Sequence, residues 1–174
     1  MSKNKITIIS TIITFLLCFP LHFLYQKIPC FITSIISPVN ESIWEHMKIL
    51  FTSIILMGTI EKIYTKIKKS SYNNILFYNY INAIISIPIF LLFFIPIYNN
   101  IGENLPIAII IMFISIILSK LITSKLINQK DLKLEQISII LIIITYMIFA
   151  LLTYFPPKLD LFLDPQSLKY GVPK

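Results

Sequence analysis

The sequence predicts an all-α protein, a polytopic membrane helix bundle with five transmembrane helices, its N-terminus inside and its C-terminus outside. Of its 174 residues, 56% are hydrophobic and only 13% are charged, and the mean hydropathy is +0.82. A composition this apolar is typical of membrane proteins rather than of soluble domains. The apolar residues also come in long stretches, and a helix needs about 20 such residues to cross a hydrocarbon core.

Five stretches approach or exceed this length, over approximately residues 6–25, 43–63, 75–98, 106–121 and 137–155. Length favours helices, because a barrel strand is about half as long and alternates apolar with polar residues. No internal repeat or linker divides the chain. We therefore expect residues 1–174 to form a single transmembrane domain, with an outward tail over residues 156–174.

The basic residues predict the topology. All 15 are lysines, and the net charge is +7. Nucleic-acid binding is not expected, because lysine lacks the bidentate fork with which arginine recognises phosphate and guanine. Short cytoplasmic connections carry an excess of positive residues. The lysines cluster before the first span, after the second, and around the connection between the fourth and fifth: Lys3, Lys5, Lys62, Lys66, Lys68, Lys69, Lys120, Lys125, Lys130 and Lys133.

The other connections are expected to face outward. Residues 99–105 carry Glu103 and no lysine, and five spans from an inside N-terminus also leave residues 26–42 and the tail outside. Four lysines weaken this bias without reversing it: Lys27, Lys158, Lys169 and Lys174. The sequence thus predicts a multi-pass protein of the cell membrane, in contact with the lipid bilayer.

An apolar segment, residues 28–37, lies within the outward connection and is bracketed by Pro29 and Pro38. We expect it to lie in the membrane interface, with partial re-entry into the membrane as the alternative. Cys18 in the first span and Cys30 in the connection match no redox or zinc motif. Neither cysteine is therefore a candidate functional residue.

The chemistry of the chain is concentrated in residues 38–48, which read P-V-N-E-S-I-W-E-H-M-K. Polar side chains are costly inside a membrane and mark functional sites. On a helix, Glu41, Glu45 and Lys48 share one stripe and His46 lies on the neighbouring stripe. We expect this polar arc to face the bundle or a water-filled cavity, with Lys48 as counter-charge.

The candidate catalytic residues are Glu41, Glu45 and His46, with a glutamate as general base and histidine as acid, orienting group or metal ligand. The first span ascends and the second descends, so His22 and His46 are expected at similar depth. We expect His22, Glu41, His46 and at least one of Asp160 and Asp164 to approach a common cavity that opens to the outside. If a divalent metal is bound, the expected ligands are His22, His46 and Asp164, the last carried over the bundle by a folded-back tail. The supporting residues are Asn40, Ser42, Trp44, Lys48, Tyr25 and Asp160.

Structural roles compete with these functional ones. Ser42 and Glu45 have the spacing of a capping box, which would make Glu45 part of a helix start. Trp44 suits an interfacial aromatic belt. Asn79 and Asn82 in the third span are expected to form interhelical hydrogen bonds.

The sequence also carries a resemblance over nearly its whole length. The run P-V-N-E-S-x-W-E-H-x-K, the H-x-x-Y of His22 and Tyr25, and the closing L-F-x-D-P with Tyr170 and Gly171 resemble an uncharacterised family of small prokaryotic integral membrane proteins, a domain of unknown function. The resemblance implies a bacterial membrane protein. It implies no catalytic role for any residue.

Three functions remain open on the sequence. The first is a membrane-embedded hydrolase with an outward-facing site of histidines and carboxylates, for which a divalent metal is the candidate cofactor. The second is a cation or small-molecule binding or transport protein. The third is a non-catalytic subunit that docks a membrane partner or a second copy of the chain. No serine-nucleophile motif or phosphate-binding loop is present, which argues against acyl-enzyme and nucleotide chemistry.

Overall fold

The computed structural model describes residues 3–68, 73–102, 104–124 and 132–173. Within them the chain forms α1 (Lys3–Lys27), α2 (Phe31–Ile36), α3 (Ile43–Ile67), α4 (Ile75–Ile101), α5 (Leu105–Ser124), α6 (Glu135–Tyr154) and a short 3-10 helix (Asp160–Phe162). Some residues of the topology prediction lie outside the described residues: Lys69, Glu103, Lys125, Lys130 and Lys174. The all-helical prediction is confirmed, since the described ranges contain no strand and only one isolated bridge, between Leu163 and Tyr170.

Five helices, α1, α3, α4, α5 and α6, are long and apolar enough to cross a membrane. This confirms the five predicted spans, whose bounds differ from the observed helices only at the ends. The direction in which the termini face stays a prediction.

Helix α3 lies at the centre of the bundle. In the most apolar 18-residue stretch of α3, 83% is buried inside the bundle, whereas the corresponding share in the other four spans is 17–39%. The reason lies in the sequence, because α3 carries Glu45, His46, Lys48 and Glu61, and such side chains must be shielded from hydrocarbon. The other spans present exposed isoleucines and leucines, which a bilayer solvates at no cost.

Aromatic side chains fill the space between α3, α6 and the tail. The ring of Phe51 meets those of Tyr146 and Phe149 edge-on, at centroid distances of 5.2 and 5.4 Å. Phe162 of the tail packs 4.9 Å from Trp44, and both are buried. The tail therefore folds back on the bundle. The belt interpretation of Trp44 was wrong, because its ring is enclosed by the tail and α6.

The connection between α1 and α3 covers the same end of the bundle. Thr33 and Ser34 of α2 are buried, whereas Phe31 and Ile32 are exposed. The Ser34 hydroxyl shares a hydrogen bond of 2.9 Å with the hydroxyl of Tyr154 on α6. The apolar segment of this connection is thus amphipathic, with its polar side turned toward the bundle.

A buried ion pair holds the opposite end of the bundle. Lys120 Nζ lies 2.8 Å from Glu61 Oε1, and Asn79 Nδ2 donates to Glu61 Oε2 at 2.8 Å. These contacts join α3, α4 and α5, and they confirm Asn79 as an interhelical partner, whereas the Oδ1 atom of Asn82 is buried without a partner. Lys120 was expected only to contribute to the topology, and the pair itself was not predicted because its two charges lie far apart in the chain.

Gly58 allows α3 and α4 to approach closely at this ion pair. A Cβ at this position would lie 2.5 Å from the Cβ of Asn79. Atoms this close must move apart, which would carry Asn79 away from Glu61. The position therefore requires glycine for packing.

We expect Gly58→Ala to lower the thermal stability of the purified protein. Overpacking costs about 1–3 kcal/mol, which exceeds the roughly 0.5–1 kcal/mol that alanine gains over glycine in a helix. Thermal unfolding in detergent measures the change. Ile60→Leu on the exposed side of the same helix serves as the control. An unchanged midpoint for Gly58→Ala would contradict the close approach.

The two cysteines test the predicted orientation. Cys30 is exposed and Cys18 is buried, and hydrogen bonds with Thr33 lower the pKa of the Cys30 thiol, which raises its reactive thiolate fraction at neutral pH. We expect a membrane-impermeant maleimide to label intact cells through Cys30. Cys30→Ser should abolish the labelling and Cys18→Ser should preserve it. If Cys30 is labelled only after the cells are permeabilised, the connection between α1 and α3 faces the cytoplasm and the predicted orientation is wrong.

Candidate functional site

The structure brings His22, Glu41 and His46 together at the end of the bundle covered by α2 and the tail. Glu41 Oε1 lies 3.6 Å from His22 Nε2, and Glu41 Oε2 lies 3.7 Å from His46 Nε2. One ligand atom from each residue lies within 4.8 Å of the other two. The side chains of His22, Glu41 and His46 are 19%, 17% and 10% exposed, so the cluster is sheltered but accessible.

Helix geometry fixes the tautomer of His46. Its Nδ1 lies 2.9 Å from the backbone oxygen of Ser42, one turn earlier. A carbonyl oxygen only accepts hydrogen bonds, so Nδ1 carries a proton, and in the neutral ring the lone pair is then on Nε2. This lone pair faces the Glu41 carboxylate. Two acceptors that face each other are stabilised when a proton or a cation lies between them.

The separations in the cluster suit a metal ion better than direct hydrogen bonds. Distances of 3.6 and 3.7 Å exceed the usual hydrogen-bond range. Two ligand atoms that each lie about 2.1 Å from a tetrahedral zinc are about 3.4 Å apart. The three side chains could therefore hold a divalent cation after a small closure.

Asn40 positions Glu41 by tying the preceding loop to the tail. Its Oδ1 accepts a hydrogen bond from the backbone N–H of Ser42 at 2.9 Å, and its Nδ2 donates to the oxygen of Gly171 at 2.8 Å. Gly171 has a φ of +74°, and a Cβ there would lie 2.9 Å from the backbone oxygen of Thr153. Glycine is therefore required where the tail meets α6.

Glu45 and Lys48 form a second, fully buried cluster beside the first. Glu45 Oε2 lies 2.5 Å from Lys48 Nζ and accepts from the Val39 N–H at 2.9 Å, while Oε1 accepts from the Thr153 hydroxyl at 2.9 Å. Lys48 also donates to the backbone oxygen of Ser34 at 2.7 Å and to the Thr153 hydroxyl at 3.0 Å. The ammonium is saturated, and the cluster joins α2, α3, α6 and the loop before α3.

This cluster corrects several expectations. Glu45 does not face the histidines, because both of its oxygens are engaged by Lys48, Val39 and Thr153. The capping box is not formed either, since Ser42 makes no side-chain cap hydrogen bond and Glu45 binds the N–H of Val39 instead. Lys48 neutralises Glu45 and does not serve as the counter-charge of Glu41.

The tail carboxylates and Tyr25 lie elsewhere. Asp164 accepts hydrogen bonds from the N–H of Gln166 and the hydroxyl of Ser167, so it caps a turn of the tail. In the described part of the chain, the cluster that could hold a metal includes Glu41 rather than Asp164. Asp160 begins the 3-10 helix and is exposed. Tyr25 interacts with Tyr154 and Cys30, next to α6.

The supporting residues that sequence reasoning missed are Ser34, Thr153 and Gly171. Thr153 and Gly171 lie far in sequence from the polar segment, whereas Ser34 lies 14 residues before Lys48. All three meet the polar segment only in the folded bundle. A lone threonine at the end of an apolar run carries no local signal of such a role. The glycine in the closing Y-G pair was noted only as part of the resemblance.

One family model matches the chain. Its description is Family of unknown function (DUF6512), and it matches residues 1–172. This match confirms the resemblance to a family without an assigned activity. No curated protein and no solved structure matches the chain.

We expect Glu45 and Lys48 to act structurally. Glu45→Gln or Lys48→Met alone leaves a buried charge without its partner, which costs about 3–5 kcal/mol of unfolding free energy. The double variant should lose much less unfolding free energy than the two single variants lose together. Chemical denaturation in detergent measures the stability of the two single variants and the double variant. Lys62→Met is the control, because the side chains of Lys62 and Glu135 are 40% and 30% exposed and water can solvate the charge that remains.

A different result would reassign Glu45. If Glu45→Gln kept the stability of the unmutated protein, or if the stability losses of the two single variants simply added in the double variant, the pair would not hold the fold together. Glu45 would then return as a candidate for the chemistry of the site.

Proposed function

We propose that this chain, which belongs to Family of unknown function (DUF6512), is a membrane-embedded hydrolase that depends on a divalent metal held by His22, Glu41 and His46. The observation that carries this proposal is the convergence of three ligand atoms within 4.8 Å. Two histidines and a glutamate are a ligand set found in catalytic zinc sites, where the fourth position is left to water or substrate.

The arrangement has the parts that such chemistry needs. A bound divalent cation would lower the pKa of its water to about 7 and polarise the bond to be cleaved. The proton of His46 Nδ1 on the Ser42 oxygen supports this role, because metal-binding histidines are oriented by such a hydrogen bond on the other ring nitrogen. Glu41 then acts as a ligand, while Glu45 and Asn40 hold its loop in place.

The orientation follows from the lysine pattern. With the N-terminus inside, the end of α1 that carries His22 and the start of α3 that carries His46 face the outside of the cell membrane. We therefore place the site at the outer surface, where its water and its metal would come from the extracytoplasmic space.

Cation transport is the second candidate, and a row of buried polar groups on α1 favours it. Ser10, Thr14 and Cys18 follow one another at one-turn spacing and are all buried. Cys18 Sγ lies 3.4 Å from Ser53 Oγ, and the Ser10 hydroxyl lies near the Glu61 carboxylate. The row leads from the inner ion pair toward the outer site.

Metal content tests the proposal directly. We expect the purified full-length protein, loaded with Zn²⁺ and freed of excess, to retain one zinc per chain. His22→Asn, His46→Asn and Glu41→Gln should each weaken zinc affinity by about tenfold or more. Glu135→Gln is the matched control, because this carboxylate pairs with Lys62 at the other end of the bundle and its loss should leave zinc binding unchanged.

Activity and flux then separate the two candidates. The zinc-loaded protein is assayed against fluorogenic amphiphilic esters, amides and phosphoesters, and in vesicles for Zn²⁺ uptake. Zinc-dependent hydrolysis that Glu41→Gln abolishes supports the hydrolase. Uptake without hydrolysis supports transport. The metal site is contradicted if the protein binds no zinc, or if Glu135→Gln weakens zinc affinity as much as the substitutions of His22, Glu41 and His46 do.

A further inference from the structure

A cavity of about 180 Å³ adjoins the two histidines between α1, α3 and α5. Its lining includes Phe15, His22, His46, Ile49, Ala108 and Met112. Apart from the histidines and the weakly polar thiol of Cys18, every lining side chain is apolar. The cavity therefore offers polar chemistry at the histidines and a hydrocarbon environment elsewhere.

The walls of the cavity differ in their exposure. Phe19, Phe23 and Leu105 are 41%, 47% and 58% exposed, and they lie on helices whose outer faces meet the bilayer. Ile49 and Met112, on the inner wall, are 1% and 7% exposed. The cavity thus leads from the lipid-facing surface of α1 and α5 to the centre of the bundle.

We propose that this cavity binds a hydrocarbon chain of a bilayer lipid, and that this lipid is the substrate of the site. The inference rests on the proposed hydrolase function and adds its substrate class. The polar part of the lipid lies at His22, Glu41 and His46, and its chain lies along Phe15, Ile49 and Met112. Hydrolysis of an ester, amide or phosphoester bond beside the chain consumes one water, whose hydroxyl goes to the acyl carbon or phosphorus and whose proton goes to the leaving group.

Size and polarity favour this occupant over water or a polar solute. A dry apolar cavity of about 150 Å³ binds a six-carbon ring such as benzene, so 180 Å³ takes a chain segment of about six to eight carbons. Water needs two or more polar partners, which the apolar walls do not supply. A membrane lipid arrives through the exposed side without leaving the bilayer.

The position of the histidines matches the shape of such a molecule. His46 and Ile49 lie on neighbouring turns of α3, and His22 and Phe19 lie on neighbouring turns of α1. Both helices therefore present a polar group followed by apolar lining, as an amphiphile presents a head followed by a chain. One molecule can occupy both parts at once.

Photolabelling tests the inference. The full-length protein is placed in nanodiscs that contain a phospholipid with a diazirine in the middle of its acyl chain, irradiated, and mapped by mass spectrometry. We expect label on Ile49, which is 1% exposed and lines the cavity, and none on Phe51 of the same helix, which is fully buried outside the cavity lining. Ile110, which is 57% exposed, reports ordinary labelling by bulk lipid.

Two variants close the cavity, and one is the matched control. Ala108→Phe should reduce label on Ile49 by about tenfold or more, because a filled interior leaves no room for the chain. Leu105→Trp, at the exposed entrance of the cavity, should also reduce label on Ile49. Because Leu105 is exposed, this substitution disturbs folding less than one in the interior. Ala150→Phe makes the same change in a shallow apolar hollow of α6 and should leave label on Ile49 unchanged. Zinc content is measured in each variant.

The outcomes separate the two proposals. Label on Ile49 no greater than on Phe51, with zinc still bound, overturns the lipid inference and leaves the metal site intact. Label on Ile49 that Ala108→Phe or Leu105→Trp removes supports chain binding. If Ile49 is labelled but neither the unmutated protein nor any variant retains zinc, binding of the lipid chain is supported and the metal-dependent function is overturned. If Ala150→Phe reduces the label on Ile49 as much as Ala108→Phe does, the inference is also overturned.

Discussion

The desolvation of charged side chains on one membrane helix is the constraint on which the rest of the structure depends. Helix α3 carries Glu45 and Lys48 near its start and Glu61 near its end, and none of these charges could face hydrocarbon without a large penalty. Both ends are therefore closed by ion pairs, Lys48 with Glu45 and Lys120 with Glu61. The neighbouring helices supply the remaining hydrogen bonds, and α3 becomes the centre of the bundle.

The polar segment before and within α3 divides into two groups with different tasks. Glu45 holds the N–H of Val39, and Asn40 holds the tail at Gly171. These contacts hold the loop that carries Glu41, and Glu41 meets His22 and His46. An acid that is saturated by internal partners stabilises the fold, whereas an acid that faces a histidine lone pair remains available to a cation.

The site lies where two environments meet. One side consists of the partly exposed cluster of His22, Glu41 and His46, and the other is an apolar cavity open toward the lipid-facing surface of α1 and α5. The tail and α2 cover the adjoining end of the bundle, and Phe162 against Trp44 anchors that cover. The geometry joins a polar group that could hold a metal to a space that suits a hydrocarbon chain, which is the combination that chemistry on a lipid requires.

The sequence by itself determined the fold class, the number and approximate bounds of the spans, and the segment in which the polar site lies. These features depend on local properties, namely the length of apolar runs and the cost of polar residues within them. Only the tertiary structure decided that Glu45 is taken up by Lys48, that Asp164 caps a turn of the tail, and that Lys120 pairs with Glu61. Helices that are apolar on nearly all sides do not reveal which faces touch, so the partner of each polar group depends on packing between residues far apart in the chain.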